Sequence, residues 1–146
     1  MTELKKFSVL VVDDEDEFRE LTVKRLNKRG LDAIGAESGE RALDILQQNS
    51  LIDVVLLDVK MPGIDGIETL RQIRQIRPLV ETVLLTGHAS VDSGIEGMKL
   101  GAFDYLMKPI ELEPLLEKLA DAYEKKRLHQ EKIEQAQIKR FMAMPT

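Results

Sequence analysis

Short apolar runs alternate along the chain with segments in which apolar residues recur every three or four positions. The runs predict five strands: Phe7–Val12, Asp32–Ala36, Asp53–Leu57, Thr82–Leu85 and Phe103–Met107. Four of these runs are continuously apolar, which is typical of parallel strands that are covered on both faces, and the second run is weaker. The pattern therefore favours a parallel sheet that carries helices on both sides.

The segments between the runs have the spacing of amphipathic helices. The predicted helices are Glu15–Arg29, Gly39–Asn49, Gly66–Ile76, Ser90–Leu100 and a last helix that begins near Glu111. In the first helix Phe18 and Leu21 share the apolar face, and in the fourth the face is formed by Val91, Ile95 and Met98. Alternation of five strands with five helices predicts a doubly wound α/β domain.

The last predicted helix is longer than one domain needs. Beyond Tyr123 its apolar positions become sparse, and Lys126 and His129 interrupt the loose heptad that can be drawn through it. We interpret residues 1–123 as the folded domain and residues 124–146 as a helical C-terminal extension, which serves as a linker or partner-contact helix. Whether this helix forms a homodimer stays open.

Composition and charge narrow the function classes. The 146 residues are 43% hydrophobic and 32% charged and include no cysteine, which excludes a disulfide framework and a thiolate metal site. The net charge of −5 argues against direct nucleic-acid binding. No apolar stretch approaches the roughly 20 residues that span a bilayer, and no signal peptide is evident. A cytoplasmic location without membrane contact is expected.

Chemically capable side chains follow four of the five predicted strands. They are Asp13 and Asp14 after the first strand, Asp58 after the third, Thr86 after the fourth and Lys108 after the fifth. The second strand contributes nothing obvious. Because the carboxyl ends of parallel strands lie along one edge of a sheet, these groups should converge there.

Three carboxylates at one place require a cation, and a hard divalent ion such as Mg²⁺ is the natural partner for oxygen ligands, with Mn²⁺ as a substitute. The ion and Lys108 together would offset the charge of a phosphoryl group. Asp58 ends the most apolar strand and is the best candidate for a carboxylate nucleophile, which needs no general base when it is ionised.

Four runs of the sequence resemble the motifs of receiver domains. These are the runs Val9–Glu15, Asp58–Gly66, Leu85–Gly87 and Tyr105–Pro109. The family is the response-regulator receiver domain of two-component signal transduction, the CheY-like superfamily, and the similarity covers roughly residues 5–123. It implies a flavodoxin-like sheet with the strand order 2-1-3-4-5.

The resemblance also assigns roles at the metal site. It implies that Asp58 accepts a phosphoryl group from the phosphohistidine of a histidine kinase or a phosphotransfer protein. Asp14 and Asp58 would bind Mg²⁺ directly, together with the backbone carbonyl of Lys60, and Asp13 would assist, often through water. Such a protein is a signalling switch and not an enzyme in the ordinary sense, although it catalyses its own phosphoryl transfer and autodephosphorylation.

A second group of residues would contact the phosphoryl group or change conformation when it is attached. By the same resemblance Thr86 and Lys108 contact the phosphoryl oxygens, the rotamer of Tyr105 follows the switch, and the Lys108–Pro109 bond is cis. Our hypothesis is that the surface of the fourth helix and fifth strand is remodelled. An effector or downstream partner would then bind there and at the fifth helix, while a kinase docks at the first helix.

Two positions are unusual and bear on the lifetime of the phosphoryl group: Lys60, two residues after the acceptor, and His88, two residues after Thr86. Our hypothesis is that the long cation at position 60 shields the acyl phosphate from water. His88 is more often a solvent-facing loop residue. The chain carries no evident effector domain, so it is either a stand-alone receiver or the receiver portion of a larger regulator or hybrid kinase.

Three other functions share parts of this pattern. A haloacid-dehalogenase-type phosphatase would have an acidic residue in place of Lys60, and a flavin binder would not carry Asp13-Asp14-Glu15 against the flavin phosphate. A receiver-like scaffold that binds a partner without being phosphorylated stays as the alternative. The intact set of Asp14, Asp58, Thr86 and Lys108 argues against it.

Overall fold

The computed structural model describes residues 6–87 and 91–145, with the backbone alone for Val91. A five-stranded parallel sheet has the order β2-β1-β3-β4-β5. Its strands are β1 Ser8–Val12, β2 Asp32–Ala36, β3 Val54–Asp58, β4 Glu81–Thr86 and β5 Asp104–Met107. The helices are α1 Asp16–Lys28, α2 Gly39–Gln48, α3 Gly66–Ile76, α4 Val91–Lys99 and α5 Leu112–Met142. The predicted fold class and strand order are confirmed.

The central strands are continuously apolar because each face of the sheet is covered by helices. Leu10 and Leu57 belong to the core on the side of α2 and α3, whereas Val11 and Leu56 belong to the core on the side of α1 and α5. Alternate residues of one strand therefore enter opposite cores. This arrangement leaves the carboxyl ends of the strands as the place where polar side chains can gather.

The predicted apolar face of α4 is wrong. Ile95 and Met98 are 52% and 38% exposed, while Gly94 and Gly97 are buried. A Cβ atom at Gly97 would lie 2.2 Å from Cδ1 of Leu84, so this helix approaches the sheet through its glycines. Val91 was also predicted on this face, but its side chain lies outside the described part of the structure. The side chains of Ile95 and Met98 consequently point away from the core.

The predicted face of α1 is wrong at one position. Leu21 is 48% exposed, and the neighbouring Thr22 is buried in its place. The hydroxyl of Thr22 donates a hydrogen bond of 2.7 Å to the backbone oxygen of Phe18, so the buried polar group is satisfied within its own helix. Leu26 is fully buried, as its spacing indicated.

The last helix, α5, is continuous over 31 residues and contains the domain boundary that we predicted at Tyr123. The first residues beyond that point still contact the domain: Lys126 Nζ lies 2.8 Å from Asp53 Oδ1, and Lys125 Nζ lies 3.2 Å from Glu81 Oε1. Residues 131–145 are exposed. Within the described part of the chain, no helix combines the length and the apolar character that a membrane span requires.

Candidate functional site

The carboxyl ends of four strands bring the predicted site residues together. Asp13 follows β1, Asp58 ends β3, Thr86 ends β4 and Lys108 follows β5, while the exposed Asp14 stands beside Asp13. We call this group of five residues the carboxyl edge. Asp13 and Thr86 are 0% and 2% exposed, which shows that polar groups are built into the interior here. Polar groups this deep need partners, and their partners define the chemistry of the site.

The three carboxylates could share one metal ion. One oxygen from each of Asp13, Asp14 and Asp58 lies within 4.8 Å of the other two. Oxygens bound to one octahedral Mg²⁺ are separated by about 3 Å when they are cis and by about 4.2 Å when they are trans, so side-chain rotations can bring these carboxylates to a shared ion. All three ligand groups are oxygen donors, which Mg²⁺ and Mn²⁺ prefer. The residues present therefore fit the predicted ion.

Lys108 is held among the acidic groups. Its Nζ donates a hydrogen bond of 2.8 Å to Asp13 Oδ2 and lies 3.5 Å from Asp58 Oδ2. It is also 3.4 Å from Glu15 Oε1 and 4.4 Å from the centre of the Phe18 ring. Burial opposes the charge, but the hydrogen bond to Asp13 and the nearby carboxylates outweigh it and raise the pKa of Lys108.

The backbone next to Lys108 fixes where its side chain begins. The Lys108–Pro109 peptide bond is cis, as expected from the sequence. The backbone N–H of Lys108 donates a hydrogen bond of 2.8 Å to the backbone oxygen of Thr86. The ends of β4 and β5 are thus tied together at the site. Contacts of Lys108 with Glu15 and Phe18 were missed from the sequence, although both lie within five residues of Asp13.

Asp58 carries the clearest electrostatic signature. Burial raises its pKa to about 6, and the neighbouring Asp13 and Asp14 carboxylates act in the same direction. Lys108 and the N–H of Lys60, which lies 3.3 Å from Asp58 Oδ1, act in the opposite direction. One lysine thus does not compensate three carboxylates. Perturbed pKa values of this kind are typical of functional sites.

The loop after β3 carries Lys60, which is exposed. Glu40 Oε1 accepts a hydrogen bond of 2.9 Å from the N–H of Ile64 and so ties this loop to α2. The start of α3 comes close to the acceptor strand at Gly66, where a Cβ atom would lie 2.3 Å from the backbone oxygen of Asp58. Only glycine permits this approach. The predicted metal contact through the Lys60 carbonyl stays a prediction.

The two predicted switch residues lie on the neighbouring strands β4 and β5. Thr86 Oγ1 is 3.5 Å from the backbone oxygen of Leu106, to which it donates. Tyr105 is 47% exposed on β5. A Cβ atom at Gly87 would meet no atom within 4 Å, so the space above the end of β4 is open. His88 lies outside the described residues.

Comparison with known proteins gives a family for this arrangement. The family model described as "Response regulator receiver domain" matches residues 9–120. The transcriptional regulator NtrC of Klebsiella pneumoniae is 37% identical over 103 residues, which are 70% of this chain and 22% of NtrC. The regulatory protein ZraR of Klebsiella oxytoca is 31% identical over 137 residues, 94% of this chain and 31% of ZraR. The chain thus spans less than a third of these relatives.

Solved structures agree with the sequence matches. A response-regulator receiver domain protein of Clostridium thermocellum superposes with a TM-score of 0.81 at 36% identity, covering 84% of this chain and 98% of that protein. NtrX of Brucella abortus superposes with a TM-score of 0.82 at 26% identity, covering 89% of this chain and 29% of NtrX. The chain belongs to the response-regulator receiver domain family of two-component systems, which implies phosphorylation-dependent signalling.

Proposed function

We propose that this chain is a Mg²⁺-dependent switch in which Asp58 accepts a phosphoryl group from the phosphohistidine of a sensor histidine kinase or a phosphotransfer protein. The observation that supports it is the incompletely neutralised cluster of Asp13, Asp14 and Asp58 beside a single lysine. A site with excess negative charge binds a divalent cation and then tolerates a phosphoryl group.

In the proposed reaction an oxygen of the Asp58 carboxylate forms a bond to phosphorus while the bond between phosphorus and the donor imidazole nitrogen breaks. The imidazole departs with that electron pair. Because the pKa of Asp58 is about 6, its carboxylate is mostly ionised near neutral pH and needs no base. Asp14 and Asp58, with Asp13 assisting, would hold Mg²⁺, which would supply charge neutralisation. Lys108, 3.5 Å from Asp58, supplies a second positive charge for the phosphoryl oxygens.

A groove beside the site suits the kinase. It has a volume of about 390 Å³, lies between α1 and the start of α5, and is lined by Phe18, Leu21 and Lys108 among other residues. Leu21 is exposed there, and Lys108 joins the groove to the carboxyl edge. A helix that docks in this groove could place a phosphohistidine next to Asp58. The groove supports the proposal that the kinase binds at the first helix.

The output surface is proposed to lie on α4 and β5. Ile95, Met98, Tyr105 and Met107 are all exposed there, and a group of exposed apolar side chains is typical of a protein contact surface. Phosphorylation would draw the hydroxyl of Thr86 from the Leu106 carbonyl toward the phosphoryl group. Tyr105 would then turn inward, and an effector domain or downstream partner would bind the changed surface.

The movement of Tyr105 can be followed with fluorotyrosine. The fluorine signal of Tyr105 should shift on phosphorylation, whereas Tyr123, which is stacked on Phe7 with ring centres 4.7 Å apart, should change little. In Tyr105→Ala phosphorylation should persist while the gain in partner affinity is reduced. A full gain in affinity in this variant would remove Tyr105 from the transmission.

The remaining assignments follow from the same switch. We propose that the chain is not an enzyme with a small-molecule product, that it acts in the cytoplasm without membrane contact, and that it does not bind nucleic acid directly. A homodimer stays open, as does the choice between a stand-alone receiver and the receiver portion of a larger regulator or hybrid kinase. The alternative function is a scaffold that binds its partner without being phosphorylated.

The deciding experiment is the intact mass of the chain after incubation with acetyl phosphate, with and without Mg²⁺. Wild type should gain one phosphoryl group only with Mg²⁺, and Asp58→Asn should gain none. Mn²⁺ should replace Mg²⁺. A histidine kinase as donor serves as a second arm, and no gain with either donor would favour the scaffold. Steady release of phosphate from phosphomonoesters would instead indicate a phosphatase.

A further inference from the structure

Asp13 is fully buried, and all of its polar atoms have partners. Its N–H donates to the backbone oxygen of Ala36 at 3.1 Å, and its Oδ1 accepts from the N–H of Glu15 at 2.8 Å. Its Oδ2 accepts from Lys108 at 2.8 Å. Its backbone oxygen accepts from Nη1 of Arg19 at 2.8 Å. The last partner is a helix residue that the proposed chemistry does not use.

Arg19 is built into this position. Its side chain is 14% exposed, and Nη2 forms an ion pair of 2.7 Å with Asp16. Its aliphatic part lies against Gly35 of the edge strand β2, where a Cβ atom would stand 3.1 Å from both Cγ and Cδ. Glycine within a strand is unfavourable and often marks the close approach of another group. The missing side chain of Gly35 therefore leaves room for Arg19. Through this glycine, β2 contributes to the surroundings of the site.

Asp14 depends on this arrangement. Among the residues that the structure describes, no hydrogen bond or ion pair holds the Asp14 carboxylate, which is exposed and belongs to the three-carboxylate group. The point from which its side chain extends is therefore set by the backbone that precedes it. The carbonyl that Arg19 binds belongs to the Asp13–Asp14 peptide, and peptide planarity ties the orientation of that carbonyl to the backbone nitrogen of Asp14.

We infer that Arg19 is a positioning residue for the cation site: it fixes the plane of the Asp13–Asp14 peptide and thereby aims the Asp14 carboxylate at the ion. The inference rests on the proposed function, because it concerns the same cation. Groups that orient a metal ligand without touching the metal commonly change metal affinity by 10- to 100-fold. Arg19 should accordingly control the affinity for Mg²⁺ more than the rate of phosphoryl transfer once Mg²⁺ is bound.

The test is calorimetric titration of the full chain with Mg²⁺, in the absence of any phosphodonor. Arg19→Met keeps the aliphatic contact with Gly35 but removes the donors, and it should weaken Mg²⁺ binding by about tenfold. Gly35→Ala keeps Arg19 but displaces it, and it should weaken binding by a smaller factor. Lys28→Met, at the exposed end of the same helix, should bind as wild type does.

A second readout separates positioning from general damage. With acetyl phosphate and saturating Mg²⁺, Arg19→Met should be phosphorylated at a rate within about twofold of wild type, while its half-saturating Mg²⁺ concentration rises about tenfold. An unchanged Mg²⁺ affinity in folded Arg19→Met would overturn the inference, as would a loss of the saturated rate as large as the loss of affinity. If Arg19→Met does not fold, Gly35→Ala decides by the same two criteria.

The same titration distinguishes this inference from the proposed function. If wild type binds Mg²⁺ and is phosphorylated while both variants equal it, the inference alone fails. If wild type binds no Mg²⁺ and accepts no phosphoryl group, both the proposed function and the inference are refuted.

Discussion

The two ends of the central strands carry acidic residues in different electrostatic states. At the start of β3 and β4, Asp53 and Glu81 face Lys126 and Lys125 of α5, an arrangement that we call the amino edge. Asp53 Oδ2 also accepts a hydrogen bond of 2.9 Å from the N–H of Ser8. At the carboxyl edge, three carboxylates lie close together, and Lys108 forms ion pairs with two of them, Asp13 and Asp58.

The extent to which nearby cations neutralise the acidic residues distinguishes charges that stabilise the fold from charges that can bind a ligand. At the amino edge each acid has at least one cation, since Arg74 Nη1 also lies 4.0 Å from Glu81 Oε2. The ion pairs with Lys125 and Lys126 fasten the long helix to the sheet. The carboxyl edge keeps an excess of negative charge, which costs stability until a cation from solution compensates it. The presence of acidic residues at a strand end is thus less informative than whether the chain itself neutralises them.

The largest effect is expected from breaking the amino edge. Asp53→Ala leaves Lys126 and the N–H of Ser8 without their partner in a half-buried place, and it should lower the free energy of unfolding by about 3 kcal/mol. Urea denaturation of the metal-free chain measures this. Lys132→Ala, on the exposed part of α5, is the control and should change little. Equal stability of the two variants would refute the structural role.

The next effect is the stabilisation of the carboxyl edge by a cation. Mg²⁺ at a hundredfold excess over its dissociation constant should raise the free energy of unfolding of wild type by about 2.7 kcal/mol, since it binds the folded chain selectively. Thermal unfolding with and without Mg²⁺ checks this. Asp14→Asn should lose most of the gain. If Asp14→Asn gains as much as wild type, the ion binds elsewhere.

Removal of one carboxylate from the carboxyl edge should raise the free energy of unfolding, whereas removal of one from the amino edge should lower it. The folded pKa of Asp58 is about 6, above its ordinary value of 3.8, so folding favours the protonated form. The native state therefore loses stability as pH rises from about 4 to 6, and the loss is complete above that range. Without metal, Asp58→Asn should be more stable by about 1 kcal/mol near pH 8, after allowance for solvent screening.

The control for this prediction is to repeat the stability measurement at low pH. Below about pH 4 the advantage of Asp58→Asn should vanish, because Asp58 is then protonated in both the folded and the unfolded chain. A variant that is less stable than wild type at pH 8 would show that the Asp58 carboxylate is fully compensated within the chain.

The smallest effect concerns the exposed cation beside the acceptor. If Lys60 shields the acyl phosphate, Lys60→Ala should lose its phosphoryl group several-fold faster, which corresponds to about 1 kcal/mol in the barrier. The decay of phosphorylated chain by intact mass, after removal of donor, measures the rate. Lys28→Ala is the control. An unchanged or slower decay in Lys60→Ala removes the hypothesis.

The sequence predicted the sheet and the carboxyl edge well because both depend on local patterns. Continuous apolar runs marked the strands, and a chemically capable residue stood at the end of four of them, so topology alone brought Asp13, Asp58, Thr86 and Lys108 to one edge. The cis bond before Pro109 also followed from the family resemblance.

The sequence predicted less well wherever a side chain's environment is made by a distant segment. Lys126 interrupts the heptad pattern of α5, yet it is 14% exposed because Asp53, 73 residues away, is its partner. In α4, hydropathy favoured Ile95 and Met98 as the buried face, but close packing on Leu84 selected Gly97. Neither the Lys126–Asp53 ion pair nor the packing of Gly97 on Leu84 produces a periodic pattern in the sequence.

The comparison of the two edges is tested most directly by locating the phosphoryl group. Acetyl phosphate and Mg²⁺ are added to the full chain, acyl phosphates are reduced with borohydride, and peptides are sequenced by mass spectrometry for aspartate converted to homoserine. Conversion is predicted at Asp58, with Asp53 and the other acidic residues unchanged. Conversion at Asp53, or conversion spread over many carboxylates with Asp58 unmodified, would contradict the claim that the uncompensated carboxyl edge is the reactive site.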